Sequence, residues 1–285
     1  MRNLDYTKVS LARETKETLK HYNINLNRRL GQNYLIDNLK REKILKYADL
    51  SSKDIVLEIG PGIGTLTIPL SLKVLEVVAV EQDPKIASIL EERLKEYKRD
   101  NVTVINADAL KVDFPYFNKV VSNLPYQISS PITFKLLEHE FDLGILMYQK
   151  EFAKRMNALP GTKNYSRLSV MLYFKAEVDL LDKISPRSFL PPPKIESVVV
   201  KLVPKEENKI DDFFADVCRA LFQHRRKKAA KSLLESFHEI DDLNKKEARK
   251  LIEKLDPDLR EKRVFQLTPY QILDISFELK RLLHK

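Results

Sequence analysis

Residues 55–59 read Ile-Val-Leu-Glu-Ile, a short apolar run interrupted once. Short runs of this kind mark strands covered on both faces. Comparable runs recur at 75–80, 101–105, 119–122 and 144–148. Between them, apolar residues return every three or four positions, which predicts helices opening at 65–70 and covering 84–98 and 131–137. Strands alternating with helices predict an α/β domain on a parallel, doubly wound sheet. Residues 168–176 and 196–203 read as two more strands, joined by the proline-rich stretch 185–194, that give the sheet a partly antiparallel end. Beyond Pro204 the pattern turns polar and acidic over 205–212, then helical in spacing over 213–237, 245–255 and 269–283. The expected organisation is an N-terminal extension at 1–30 with an amphipathic helix over 10–22, an α/β domain at 31–204, and a small all-helical domain at 205–285. No internal repeat or low-complexity stretch interrupts it.

Composition narrows the class. A chain of 285 residues holds one large domain or two. Charged residues make up 32%, and no run approaches the roughly 18 apolar residues of a membrane span. The first 20 residues lack the apolar stretch of a signal peptide. Cys218 is the only cysteine, which excludes an intrachain disulfide and a cysteine-built zinc site. The expectation is a cytoplasmic protein. The net charge of +9 divides as +4 over residues 1–30, +2 over 31–204 and +3 over 205–285. A basic excess at both ends fits a polyanionic partner such as nucleic acid, or a charge-rich solvated surface. The five histidines sit at no metal-ligand spacing, and no serine-histidine-aspartate order or nucleophile elbow is present, so neither a metal nor a nucleophilic triad is expected.

Half of the six glycines fall within five residues, at Gly60, Gly62 and Gly64, directly after the first strand. A glycine loop there lets backbone approach a nucleotide-like ligand and aims a helix N-terminus at it. Dinucleotides and S-adenosylmethionine both use this device. The dinucleotide fingerprint needs its third glycine at position six, where this chain has Thr65, so the spacing leans to the methyl donor. Glu81 closes the second strand and can accept from ribose hydroxyls. Asp108, followed by Ala109 just past the third strand, can accept from an adenine amino group. After the fourth strand comes Asn123-Leu124-Pro125-Tyr126. An exocyclic purine amine is a poor nucleophile because its lone pair is delocalised. Two neutral acceptors, the Asn123 amide oxygen and the Leu124 carbonyl held by Pro125, would free that lone pair, and Tyr126 would stack on the base.

Asn-Leu-Pro-Tyr after such a loop resembles the ribosomal RNA adenine dimethyltransferases, the KsgA type with its archaeal and eukaryotic relatives. The enzymes of macrolide resistance share these motifs. Matching strings continue from residue 30 to about 204: Leu30-Gly31-Gln32-Asn33-Tyr34-Leu35, then 123–131, 147–155, 167–169 and 189–197. The longer strings look more like archaeal and eukaryotic members. The resemblance implies an α/β, Rossmann-like class I S-adenosylmethionine-dependent methyltransferase with a small all-helical C-terminal domain. It implies that Gln32, Asn33 and Leu35 join Gly60, Glu81, Asp108 and Asn123 at the donor, and that Phe189 covers the second face of a flipped adenine. It also implies a reaction, two methyl groups placed on each of two adjacent adenosines near the 3′ end of small-subunit ribosomal RNA, in an assembling particle, by a monomer. Residues 219–228 are basic with helical spacing, as in a helix laid along RNA phosphates, which makes Arg225, Arg226, Lys227 and Lys228 candidate contacts; a solvated helix face is the alternative. Other readings stay open: a non-catalytic RNA-binding assembly factor, a large-subunit adenine methyltransferase and, less well supported, a dehydrogenase.

Overall fold

Each of the five apolar runs between residues 55 and 149 becomes a strand. The computed structural model describes residues 10–24, 33–205 and 210–284. In chain order its elements begin with α1 (Leu11–His21), β1 (Tyr34–Leu35), α2 (Asn38–Tyr47), β2 (Ile55–Ile59), α3 (Thr67–Ser71), β3 (Glu76–Glu81), α4 (Pro84–Glu96) and β4 (Val102–Asn106). There follow β5 (Lys119–Asn123), α5 (Ser129–Leu136), β6 (Leu143–Gln149), α6 (Lys150–Met156), α7 (Arg167–Lys175), β7 (Ala176–Ile184), β8 (Phe189–Leu190) and β9 (Ser197–Pro204). The chain ends in α8 (Asp212–Gln223), α9 (Ala229–Glu235), α10 (Lys245–Ile252), α11 (Pro257–Glu261) and α12 (Pro269–Leu282).

Seven strands form one sheet in the order β4-β3-β2-β5-β6-β9-β7. The first five are parallel neighbours, and β9 runs antiparallel to β6, with Met147 opposite Val199. The chain winds from β2 toward β4 on one side and then returns to place β5 on the other. Ligands of open α/β sheets bind where the order reverses, outside the carboxyl ends of the strands. Val56, Leu57, Val77, Val120 and Val121 are fully buried, as parallel strands covered on both faces should be.

The chain divides into two units, Met1–Ala153 with Val178–Pro204 and Lys154–Glu177 with Lys205–Lys285. This differs from the predicted boundaries in two places. Residues 10–24 are part of the first unit: Leu19 packs with Ile86 and Ile89 of α4, and Glu14 accepts from the buried Arg93 at 2.6 Å. Residues 168–176, expected as a strand, are instead mostly α7, which belongs to the helical unit, where Phe174 packs edge-on against Phe214 of α8 at 5.4 Å. Buried on nearly every side, α7 shows no apolar stripe, so its sequence reads as a continuous run. The strand lies just beyond it, in β7.

The predicted helix over 213–237 is also broken. It stops at Gln223, because residues 225–229 pair along 262–265: Val264 N donates to Lys227 O, Phe265 N to Arg225 O and Ala229 N to Lys262 O at 2.8–3.0 Å. Backbone groups engaged in that pairing cannot close helical turns. Among the described residues no helix is long and apolar enough to cross a membrane.

Candidate active site

At the carboxyl ends of β2, β3 and β5 lies a cavity lined by the glycine loop, by Glu81, Asp108 and Ala109, and by Asn33, Asn123 and Pro125. Gly60 and Gly62 have φ of +69° and +57°, a region that side chains disfavour. A Cβ on Gly62 would stand 2.7 Å from the Tyr34 ring, and one on Gly60 would stand 3.1 Å from Pro125. The loop thus touches both the Gln-Asn-Tyr-Leu segment and the Asn-Leu-Pro-Tyr turn. Ser122 ties β5 to the end of β2 by donating to the Ile59 carbonyl. Glu81 accepts from Gly62 N at 3.1 Å with one oxygen and from Asp83 N at 3.0 Å with the other. Each carboxylate oxygen keeps lone-pair capacity for a ligand. Asp108 lines the cavity while also closing its own turn, accepting from Leu110 N at 3.0 Å. Lys135 of α5 fastens that turn by donating to the carbonyls of Ala109 and Val112.

Asn123 ends β5, and its Nδ2 donates to the Asn33 carbonyl at 2.8 Å. That bond fixes which end of the amide is which and leaves Oδ1 as an acceptor. Tyr126 opens a short 3₁₀ turn, and its hydroxyl shares a 2.6 Å hydrogen bond with Ser197 of β9, so the ring is held at both ends. Burial raises its pKa, and the phenol stays neutral.

Three predicted residues stand elsewhere. Leu35 is fully buried in the core, where β1 sets it opposite Phe189. Phe189 is itself 2% exposed and packed in that core, so this conformation does not offer its ring to a base. Gly64 lies behind the loop, where a Cβ would come within 2.8 Å of Leu90; it serves helix packing and does not line the cavity. Gln32 lies outside the described residues.

Residues 23–264 match the family described as Ribosomal RNA adenine dimethylase. The chain belongs to that family. It is 60% identical over 267 residues, 93% of its own length and 95% of the relative's, to a Methanothermobacter thermautotrophicus protein named probable ribosomal RNA small subunit methyltransferase A. A Pyrococcus furiosus protein of the same name is 46% identical over 264 residues, 92% of this chain and 95% of that one. Among solved structures, a dimethyladenosine transferase from Plasmodium falciparum superposes with a TM-score of 0.73 at 33% identity, covering 86% of this chain and 96% of that one. The 23S rRNA methyltransferase ErmE gives a TM-score of 0.63 at 26% identity, covering 87% and 100%. The fold is that of the class I S-adenosylmethionine-dependent methyltransferases, as the resemblance implied. A side-chain-free cradle at Gly60 and Gly62 beside the Glu81 carboxylate suits the ribose of this donor.

Two groups in this dimethylase-family site escaped sequence reading. The Tyr34 hydroxyl is buried without a partner among the described residues and lines the cavity near Glu81 and Asp83; burial first, then those two charges, raises its pKa. Glu58, the one charged residue of β2, is 2% exposed, and its Oε2 has no partner among the described residues. Thr67 lies beside it without completing a hydrogen bond. A carboxyl in an otherwise apolar strand was the available signal for Glu58. Burial, with Glu81 adding to it, pushes the Glu58 pKa up from 4.5 to about 8. The folded chain therefore holds a proton that the unfolded chain releases above 4.5. The stability linked to Glu58 is full below pH 4.5 and falls until about pH 8, by up to about 1.4 kcal/mol per pH unit. Glu58→Gln is neutral throughout, so its thermal stability relative to the parent should rise from pH 5 to pH 8. A difference constant with pH would show that Glu58 is ionised in the folded state.

Proposed function

We propose that the protein transfers methyl groups from S-adenosylmethionine to the N6 atoms of two adjacent adenosines near the 3′ end of small-subunit ribosomal RNA, two to each base. We place it in the cytoplasm, acting as a monomer on an assembling particle. The observation that carries this reading is the contact of two motifs: the acceptor turn at Asn123–Tyr126 lies directly against the glycine loop, with Asn123 oriented by its Nδ2 so that Oδ1 is its acceptor end. When bound, S-adenosylmethionine supplies an electrophilic methyl on its sulfonium.

The chain's own residues do the rest. Gly60, Gly62 and Glu81 hold the donor's ribose, Asp108 and Ala109 its base, and Asn33 the wall toward the reacting centre. Asn123 Oδ1 and the Leu124 carbonyl accept the two amine hydrogens of the target adenine, and Pro125 keeps those acceptors side by side. Tyr126 stacks on the extruded base, whose flipping costs a few kcal/mol and is easiest from unpaired RNA. No ionisable base is required, because the amine becomes cationic only as its new bond forms, and its proton then leaves to water. Holding the reactants in line supplies about 7–11 kcal/mol of the barrier.

Small subunits isolated without these methylations, incubated with the protein and labelled donor, should gain label at two neighbouring adenosines. Label in large-subunit RNA would move the reading to that substrate. RNA binding with no label would make the chain a non-catalytic assembly factor.

A further inference from the structure

Of the four basic residues first assigned to RNA, three are already engaged. Lys227 pairs with Glu235, and Lys228 with Glu261 at 2.6 Å. Arg225 donates to the Tyr165 carbonyl at 2.6 Å. Cations paired with acids of their own chain, as Lys227 and Lys228 are, release few counterions on meeting a polyanion. Beside them lies a cleft of about 500 Å³ that gathers several cations of the helical unit, lined by Arg155, Lys163, Arg167, Arg219, Phe222 and Arg225. Among the described residues no acidic side chain lines it. Arg219 is committed to Asp216 and Glu239, at 3.1 and 3.4 Å. Arg155, Lys163 and Arg167 have no acidic partner within 4 Å among the described residues, and the first two are exposed.

The cleft is built by internal bonds. The Arg155 carbonyl accepts from Ser169, and the Arg225 guanidinium holds the Tyr165 carbonyl. The Tyr165 hydroxyl is anchored on the Leu267 carbonyl at 2.8 Å, and its ring meets Phe222 edge-on at 5.7 Å. At the start of α7 the Ser166 and Ser169 amides are taken by its own capping box, and the cations that line the cleft supply its attraction for an anion.

We infer that this cleft is a binding site for the phosphodiester backbone of the RNA substrate, with Arg155, Lys163 and Arg167 on the phosphates and Phe222 against a ribose or base. The inference rests on the methyltransferase reading and names the RNA contact within it. Guanidinium forks match phosphate oxygens in pairs. An aromatic wall beside them suits a polynucleotide, which offers a ring face at every residue.

The test uses the full chain and a transcript of the 3′ region of small-subunit RNA, with binding measured across a salt series. Arg155→Gln/Lys163→Gln/Arg167→Gln should weaken binding at least tenfold and reduce the slope of log affinity against log salt by about 2–3, at about 0.7–0.9 per lost phosphate contact. Affinity for S-adenosylhomocysteine should not change. Lys227→Gln/Lys228→Gln should affect RNA binding far less. Should the triple variant melt early, the exposed pair Arg155→Gln/Lys163→Gln should still reduce the slope by about 1.5. A parental slope in a folded variant overturns the cleft assignment. Displacement of RNA by polyglutamate at matched charge overturns it in favour of an acidic protein partner. Failure of the unaltered chain to bind the transcript at all would instead count against the methyltransferase reading.

Discussion

Asn123→Ala is expected to slow methyl transfer by about 10²–10³-fold at saturating donor, the usual loss when one preorganised hydrogen-bond partner leaves a reacting centre. Two effects combine. The variant removes the acceptor that localises the amine lone pair, and it removes the Nδ2 bond that ties β5 to the Asn33 carbonyl. RNA affinity should be nearly unchanged, because the amide meets the base only after extrusion. Asn123→Asp tests the Nδ2 bond by itself. Its carboxylate can still accept but cannot donate, and it sets a charged oxygen against a carbonyl that Asn123 now approaches at 2.8 Å. It should be as slow as the alanine variant. Single-turnover rates on small subunits measure both, and a near-normal rate for Asn123→Ala would remove this residue from the chemistry. Across about pH 6–9 the parental single-turnover rate should show no titration of the groups that meet the amine, since the acceptors are neutral and the Tyr126 pKa is raised; Glu58, which lines the donor cavity, is the group that titrates within that window.

Gly62→Ala is expected to cost about a hundredfold in affinity for S-adenosylhomocysteine, or about 2.7 kcal/mol. The new methyl group would sit 2.7 Å from the Tyr34 ring, which is 5% exposed and could yield only toward the donor cavity that it lines. The backbone at φ +57° adds about 1–2 kcal/mol of strain for an L side chain. Relief by shifting the loop would break the Gly62 N bond to Glu81, and with it the aim of the carboxylate. Gly161→Ala provides the control. Gly161 has φ +83° with nothing within 4 Å of an added Cβ, so that variant should show strain in its melting temperature and parental donor affinity. Equal affinity losses in the two variants would mean that general destabilisation, and not the cradle, governs binding.

The central sheet was legible because parallel strands covered on both faces leave unbroken apolar runs. The donor loop was legible because so few glycines occur elsewhere. The misreadings have physical causes. Burial on almost every side erased the helical period of α7. In β7, polar residues such as Glu177 and Asp179 on exposed positions, and the half-buried Asp182, hid an edge strand. The end of α8 depends on a pairing with residues 262–265, which no local pattern can announce. Charge spacing likewise located basic residues but not the acids that neutralise them: Glu235 and Glu261 meet Lys227 and Lys228 only after folding. For Phe189, a role carried over by resemblance met a ring that β1 and β8 enclose.

The helical unit is assembled from two separated stretches of chain, Lys154–Glu177 and Lys205–Lys285, with the last part of the sheet between them. A ribosome delivers α7 well before its partners, so Phe174 and Tyr165 emerge without Phe214, Phe222 or the Leu267 carbonyl to pack against. The sheet can gain β9 during that interval, while the helical unit has to wait for the C-terminus. A fragment beginning at residue 205 would lack α7 and expose the apolar faces that α7 covers. A dissection of this protein should therefore remove the C-terminal unit by excising both stretches and joining Ala153 to Val178, since cutting at the linker leaves an orphaned aromatic helix attached to the catalytic half.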